Sequence, residues 1–265
     1  TLPRSLGFIA IHPEGKFLFA SNYREGTLDG YQLDGDGKIK VESLVAINEG
    51  RPTAHCVRLS PDRKNLYVPY VKEHNALYQY AFDEDSGEIT ALDPLNAEPP
   101  EGTGPRHFVY HPDLPLVYFS EEQGLGVSVY ERDSASGLLT FRESVVGVGP
   151  DIPETGRSAS DIVITPDKRF IYIGIRGSNQ EFDFVSGFEL GEGGRPMALK
   201  PVPTADTPWG LAVTPDSRYL VVTASGAGEI IAYEIQTDGN LEKIASVSTA
   251  KGITDLEVFR SIQIH

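Results

Sequence analysis

Arg106 and His107 stand side by side in the stretch GTGPRHFVYHPD, residues 102–113, with His111 four residues further on. A guanidinium binds anions or polarises a carbonyl, and an imidazole exchanges protons near neutral pH. Similar residue types recur at comparable points of the chain: His55 in TAHCV, Glu122 in SEEQG, Arg157 in GRSASD and Arg176 in IGIRG. Tyr23 in SNYREG, Lys72 in YVKEH and Trp209 in TPWG stand at related points. Such a set suits acid–base work on a bound anion, provided the fold gathers it from the whole chain. With 38 acidic and 23 basic residues, a net charge of −15, the surface should repel nucleic acid and anionic membranes. An anionic ligand must therefore meet a local reversal of charge.

A repeat supplies the means of gathering. An apolar strand, a Pro-led turn and a second apolar strand appear as FIAIHPEGKFLFAS, CVRLSPDRKNLYVPY, FVYHPDLPLVYFSE, IVITPDKRFIYIGI and LAVTPDSRYLVVTA. The turn prolines are Pro13, Pro61, Pro112, Pro166 and Pro215, at steps of 48, 51, 54 and 49 residues. Proline followed by an acidic residue suits a type I turn, and the flanking Val, Ile, Tyr and Phe suit half-buried strands. A third strand follows each pair, as in ALYQYAF and VSVYERD, and most units end in a weaker fourth, as in TFRESVV. No segment holds a 3.6-residue period, so helices should be nearly absent. Four short antiparallel strands per ~50 residues describe an all-β protein, a β-propeller, in which radial packing hides the strand edges. A right-handed β-helix is the alternative, but its repeats are shorter.

The reading is of a single propeller domain over residues 1–265. The first residues enter an innermost strand already under way, and ITDLEVF at 253–259 reads as the innermost strand of a sixth unit. Five full blades plus one strand make an uncomfortable ring, so strands or blades N-terminal to residue 1 are expected. Cys56 is the single cysteine, which excludes an internal disulfide framework and a Cys-based zinc site and fits a reducing, cytoplasmic compartment. No apolar run approaches the ~18 residues of a membrane span, and TLPRSLGF has none of the features of a signal peptide. The acidic turns DEDSGE and DGDG lack the later glutamate of a calcium loop and read as solvated hairpins. No G-x-S-x-G elbow, Walker motif or dinucleotide fingerprint is present, and neither metal nor cofactor is expected.

The stretches SNYREGTLDGYQL, TAHCVRLSPDRKNLYVPYVKEHNALYQYAF, GTGPRHFVYHPD, SEEQGLGVSVYE, GRSASDIVITPDKRFIYIGIRG and TPWGLAVTPDSRYLVVTASGAGEIIAYEI resemble, in order and spacing, the 6-phosphogluconolactonase family of seven-bladed propellers. Relatives of carboxy-cis,cis-muconate cyclase belong to the same group. The resemblance covers essentially the whole chain, and GPRH followed by HP is its most specific part. It implies seven blades, of which about the first one and a half are absent from this sequence, and metal-independent hydrolysis of 6-phosphogluconolactone.

Lactone hydrolysis needs a base for water, donors for the developing oxyanion and, for a phosphorylated sugar, fixed cations. The resemblance makes Arg106 a phosphate or carbonyl ligand and His107 a base or donor. Without it, Arg106 would be an ion-paired loop cation. His55 is read as the counterpart of His107 one blade earlier, and Glu122 becomes a general-base candidate, with Glu121 facing away. Repeat logic pairs Arg157 with Arg106 and Arg176 with Glu122, so the three arginines should converge, and Asp161 could orient one of them. Tyr23 matches Glu122 in the first blade, and Lys72 lies close to that position in the second. His12 and His111 precede turn prolines where Ser60, Thr165 and Thr214 stand elsewhere, so they read as turn caps; His74 reads as a loop residue. The family commonly has Pro-Arg-Gly where Trp209 follows Pro208, which leaves Trp209 as a sugar-facing wall or a core plug and puts phosphate specificity in question.

The expected ligand is thus a sugar lactone or other small organic anion. Two other functions share the scaffold: a muconate-type cycloisomerase, in which the arginines hold carboxylates, and a non-catalytic propeller that binds a sugar or a partner.

Overall fold

The computed structural model describes residues 6–152, 155–177 and 183–258. Strands β1 (Phe8–Ile11), β2 (Phe17–Asn22), β3 (Thr27–Leu33) and β4 (Ile39–Asn48) form one antiparallel sheet in chain order. The second holds β5 (Arg58–Leu59), β6 (Asn65–Tyr70), β7 (Ala76–Phe82) and β8 (Ile89–Asn96). The third holds β9 (Pro105–Tyr110), β10 (Leu116–Glu121), β11 (Gly126–Arg132) and β12 (Leu139–Val146). In the fourth, β13 (Arg157–Ile164), β14 (Phe170–Gly177) and β15 (Asp183–Leu190) are followed by an outer strand in two pieces, β16 (Pro196–Ala198) and β17 (Val202–Thr204), both paired to β15. The fifth holds β18 (Pro208–Val213), β19 (Tyr219–Ala224), β20 (Glu229–Ile235) and β21 (Leu241–Ser248). Short 3₁₀ turns at Lys72–His74 and Glu192–Gly194 are the helical elements of the described residues. The five blades are those that the Pro-led repeat marks out.

The residue before each turn proline does cap the turn. Nδ1 of His111 accepts the backbone N–H groups of Asp113 and Leu114 at 3.0 Å, and Nδ1 of His12 accepts that of Glu14 at 3.2 Å. Hydroxyls do the same work elsewhere: Ser60, Thr165 and Thr214 accept from Asn65, Phe170 and Tyr219 at 2.9–3.0 Å.

Alternation along the second strands builds the core between blades. Phe17 and Phe19 face the second blade and pack with Leu66, Val68 and Tyr70, while Leu18 and Ala20 face the other way. The next three boundaries are filled in the same manner, around Phe108 and Phe119, around Ile171 and Ile173, and around Leu220 and Val222. A polar latch repeats at three of them. Tyr67, Tyr118 and Tyr172 sit at the same place in their second strands, and each hydroxyl donates to the carbonyl of a hairpin glycine in the following blade: Gly137, Gly194 and Gly239, at 2.5, 2.7 and 2.9 Å. Those glycines have φ of 78°, 77° and 81°, a left-handed turn conformation that L side chains rarely adopt.

One expected strand is not formed. Among the described residues, 253–258 have no strand pairing; the segment instead lies against Gly210 in β18, where a Cβ would stand 3.0 Å from Asp255 Cα. Phe259 lies outside the described residues. The apolar alternation of ITDLEV needs a ladder to become a strand, and here the segment lies against Gly210 without joining that of β18.

The latch gives a direct test. Tyr118→Phe should lower the unfolding free energy by roughly 1–2 kcal/mol, since the ring still packs but the buried Gly194 carbonyl loses its donor. Urea denaturation, compared through midpoint at constant slope, measures it; an unchanged midpoint would remove the latch from the account of blade packing.

Candidate active site

Each innermost strand of blades two to five carries one residue more than its neighbour at the end where the chain enters. In the third blade Pro105 pairs with Glu121 and Phe108 with Phe119, three residues against two. Ala159 and Ile162 against Ile175 and Ile173, and Pro208 and Leu211 against Ala224 and Val222, repeat the bulge. In the second blade Ala54 bridges Tyr70 and Arg58 pairs with Tyr67, so His55 lies in an irregular entry stretch ahead of β5. A bulge re-aims side chains that a regular strand would alternate. The doublets that it presents are His55–Cys56, Arg106–His107, Ser160–Asp161 and Trp209–Gly210.

This pairing corrects two equivalences expected from the sequence. His55 stands one residue after Ala54, as Arg106 stands one after Pro105, so the counterpart of His107 is Cys56, which is fully buried. The counterpart of Arg106 in the fourth blade is Ser160 and not Arg157, which pairs across to Gly177 three residues earlier.

At this end of the blades lies a cavity of about 590 Å³ whose walls include His55, His107, Glu122, Arg176, Tyr23, Lys72 and Trp209. The structure thus brings together seven of the nine side chains expected there. Arg106 lies beneath the wall, fully buried, with Nε donating to Glu122 Oε2 at 3.0 Å and its guanidinium 5.6 Å from the Trp209 ring. Arg157 does not line the cavity; it pairs with Asp183 at 3.4 Å and lies over the Phe184 ring at 5.0 Å. Arg58, Gly7, Phe8, Asp161, Thr254 and Asp255 complete the lining. Of these only Asp161 is raised by the sequence reading. Arg58, three residues beyond His55 in RLSP, was the signal overlooked.

Glu122 is the hub of the positive side. Its Oε2 meets Arg106 Nε at 3.0 Å, Arg176 Nη2 at 3.8 Å and His55 Nε2 at 3.9 Å, and Oε1 accepts from Gln123 at 3.2 Å. Glu121 faces the opposite side of the strand, where it accepts from Ser144. Arg176 is further fixed by donation from Nε to Ser158 at 3.1 Å and by stacking 3.8 Å from the Trp209 ring centre. Burial, then the charge of Arg106, lowers the Arg176 pKa to about 10, still cationic at neutral pH. Lys72 Nζ lies 5.6 Å from the Tyr23 ring centre, and a hydrogen bond with Tyr23 pushes the Lys72 pKa up.

The opposite wall carries a hydrogen-bonded pair. His107 Nδ1 lies 2.8 Å from Asp161 Oδ1, and the Asp161 carboxylate also accepts the backbone N–H groups of Ile162 at 2.9 Å and Leu211 at 3.0 Å. Burial opposes ionisation of Asp161, but the bond and charge of His107, the Leu211 N–H and the Arg58 charge together outweigh it and hold the carboxyl below its usual range. Nδ1 must then carry the proton, which leaves Nε2 as the basic nitrogen. Burial, reinforced by Arg106, pushes the His107 pKa down to about 4, so the ring is neutral at physiological pH. His55 packs edge-on to His107 at 5.0 Å and to Tyr23 at 5.6 Å, and burial drives its pKa well below the usual value. The arrangement offers a neutral base held by a carboxylate, facing fixed cations. Among the described residues no group of three or more His, Cys, Asp or Glu side chains is placed to hold a metal ion.

Comparison with known proteins supplies a family. The family described as "Lactonase, 7-bladed beta-propeller" matches residues 1–257. A 6-phosphogluconolactonase of Enterobacter sp. (strain 638) is 30% identical over 253 residues, 95% of this chain and 73% of that protein. Among solved structures, the periplasmic gluconolactonase PpgL of Pseudomonas aeruginosa superposes with a TM-score of 0.82 at 20% identity, covering 93% of this chain and 71% of that one. A protein from Lactobacillus plantarum gives 0.81 at 21% identity, covering 94% and 73%.

The depressed histidines make stability depend on pH in a stated direction. Unfolded histidine protonates near 6.5 and folded His107 only near 4, so between these values the unfolded state binds the extra proton. Stability should therefore be fully present above about pH 6.5 and fall on acidification, by up to roughly 1.4 kcal/mol per pH unit for this group. His107→Gln should flatten the slope between pH 6.5 and 4 in denaturant titrations; an unchanged slope would mean that the ring is not neutral in the fold.

Proposed function

This chain belongs to the seven-bladed β-propeller lactonase family and hydrolyses a lactone, and we propose that its substrate is 6-phosphogluconolactone, opened by water that His107 activates. One observation carries the reading: the His107–Asp161 pair and the cations Arg176 and Lys72 line one cavity. The 30% identical relative, a 6-phosphogluconolactonase, supports the substrate.

Nε2 of His107 takes a proton from water as the water oxygen attacks C1 of the lactone, and the carbonyl oxygen becomes an oxyanion. The bond between C1 and the ring oxygen then breaks, and His107 returns the proton to that oxygen. The product is an aldonic acid that ionises in water. Asp161 keeps the proton on Nδ1 and stabilises the imidazolium that forms between the two steps. Glu122 is poorly suited as the base, because its oxygens are engaged by Arg106, Gln123 and Arg176, and protonation would strand two buried cations. Its role is to hold those arginines. Arg176, lying over Trp209, and Lys72, lying over Tyr23, supply the charge for the phosphate.

Freshly prepared 6-phosphogluconolactone, followed by acid release at constant pH, should open faster with the protein than without it. Asp161→Asn should lower kcat by about 10²-fold. Arg176→Ala should raise KM for the phosphorylated lactone about tenfold or more while leaving glucono-δ-lactone little affected. An equal effect on both lactones would refute the phosphate assignment, and no acceleration of either would refute the base assigned.

The pH profile is a separate check. Because burial holds the His107 pKa near 4, kcat/KM corrected for spontaneous opening should rise with pH up to about 5 and stay level to about pH 7. A rise centred at the usual histidine value would assign the base elsewhere.

A further inference from the structure

Arg58 is a cation of the cavity to which the mechanism above gives no task. It opens β5, the innermost strand of the second blade, and lines both the cavity and the channel of about 730 Å³ that runs on between the innermost strands. Its guanidinium carbon lies 5.4 Å from the centre of the Phe8 ring, and the His107 ring lies 5.1 Å from the same centre. The cation and the base therefore flank one phenylalanine. Nε of Arg58 is buried and has no hydrogen-bond partner among the described residues. The rest of the side chain lies beside the buried Cys56 thiol, whose pKa it lowers against burial, and reaches the cavity wall.

No carboxylate among the described residues hydrogen-bonds Arg58, although its charge acts on both Asp161 and Asp255. Asp161 already accepts from His107 and two backbone N–H groups, and burial pushes the Asp255 carboxyl up, toward its neutral form. The reaction itself generates an anion on this side of the cavity. C1 of a lactone is uncharged, but its oxygen becomes an oxyanion when water adds, and the charge persists as the carboxylate of the product. That carbon must lie beside Nε2 of His107, the base that delivers the water. A cation there interacts more strongly with the transition state than with the substrate, which is the condition for raising kcat.

We propose that Arg58 binds the oxyanion formed at C1 and then the carboxylate of the aldonate product, at the inner end of the cavity. The proposal rests on the reading that this cavity opens a lactone. It gives the cavity two positive poles, Arg58 for the carboxylate and Arg176 with Lys72 for the phosphate, so the preferred resident is an acid charged at both ends.

Calorimetric titration with 6-phosphogluconate and with glucitol 6-phosphate, which lacks the carboxylate, tests it. The unaltered protein should prefer the acid by about tenfold or more, and Arg58→Gln should abolish the preference while binding glucitol 6-phosphate as before. Arg58→Lys, which keeps the charge, should restore part of it and guards against a fold defect, as does an unchanged circular dichroism spectrum. In turnover, Arg58→Gln should lower kcat by about 10²-fold with KM for the lactone changed less than about threefold. A preference that survives in Arg58→Gln, or its absence from the unaltered protein, overturns the proposal. A protein that prefers the acid through Arg58 but does not accelerate lactone opening would leave the carboxylate site standing and refute the hydrolytic reading.

Discussion

The extra residue at the entrance of each innermost strand determines what this fold can do. A regular strand would send alternate side chains to opposite faces, burying one of each adjacent pair between blades. The bulge breaks that rule at the same place in four blades, so that a doublet from each turns toward the channel end. At the boundary between the third and fourth blades the second members of the two doublets meet, and His107 bonds Asp161. Backbone and hydroxyl ties hold the bulges to one another. Ser120 Oγ donates to the Ser160 carbonyl at 2.9 Å, Ser160 Oγ to the Pro208 carbonyl at 2.7 Å, and Asp161 accepts from Leu211 N–H at 3.0 Å. His107, the proposed base, is thereby positioned by three blades and not by one loop.

The charge pattern follows from the same geometry. A fully buried arginine is unfavourable by several kcal/mol unless its counter-ion is close, and in a chain of net charge −15 the counter-ion could come from many places. It comes from Glu122, just past the second strand of the same blade and beside the doublet. Arg106, 0% exposed, does not itself line the cavity, yet its charge reaches across it. It helps keep His107 and His55 neutral, and it lowers the pKa of Arg176. An arginine outside the cavity lining thus reinforces burial in keeping both histidines of the cavity neutral.

Much of this was legible in the sequence because the repeat is regular where strands are regular. The Pro-led turns, the caps at His12 and His111, and the opposite facing of Glu121 and Glu122 all follow from period-two alternation and turn chemistry, and all are found. The failures fall where regularity stops. Matching GPRH to TAHC by their histidines placed His55 opposite His107, one residue out, and matching arginine to arginine placed Arg157 three residues out; counting back from the turn prolines would have corrected both. The bulge leaves no residue type as its mark, for His, Cys, Arg, Ser, Asp, Trp and Gly all occupy its doublets. Arg58 escaped notice for another reason: it sits within the strand, where a cation is expected to be structural. Residues 253–258 show the limit of alternation as a signal, since a pattern fit for a strand is left unpaired here.

Trp209 is where the departure from the resembling family becomes intelligible. It occupies the doublet position that Arg106 holds in the third blade, and the resemblance led to an arginine there. Its ring centre lies 3.8 Å from the Arg176 guanidinium and 5.6 Å from that of Arg106. A third guanidinium in this place would have to share Glu122, whose Oε2 already faces two arginines and His55. The indole offers both guanidinium groups the negative face of a π system, an attraction of roughly 0.5–2 kcal/mol each, and adds no charge that needs neutralising. The substitution therefore weakens the total charge of the site but fixes the orientation of the cation that remains. For the phosphorylated substrate proposed above, one well-held guanidinium with Lys72 beside Tyr23 would meet a single anionic group at that end, and the aromatic walls would be left to the neutral sugar carbons.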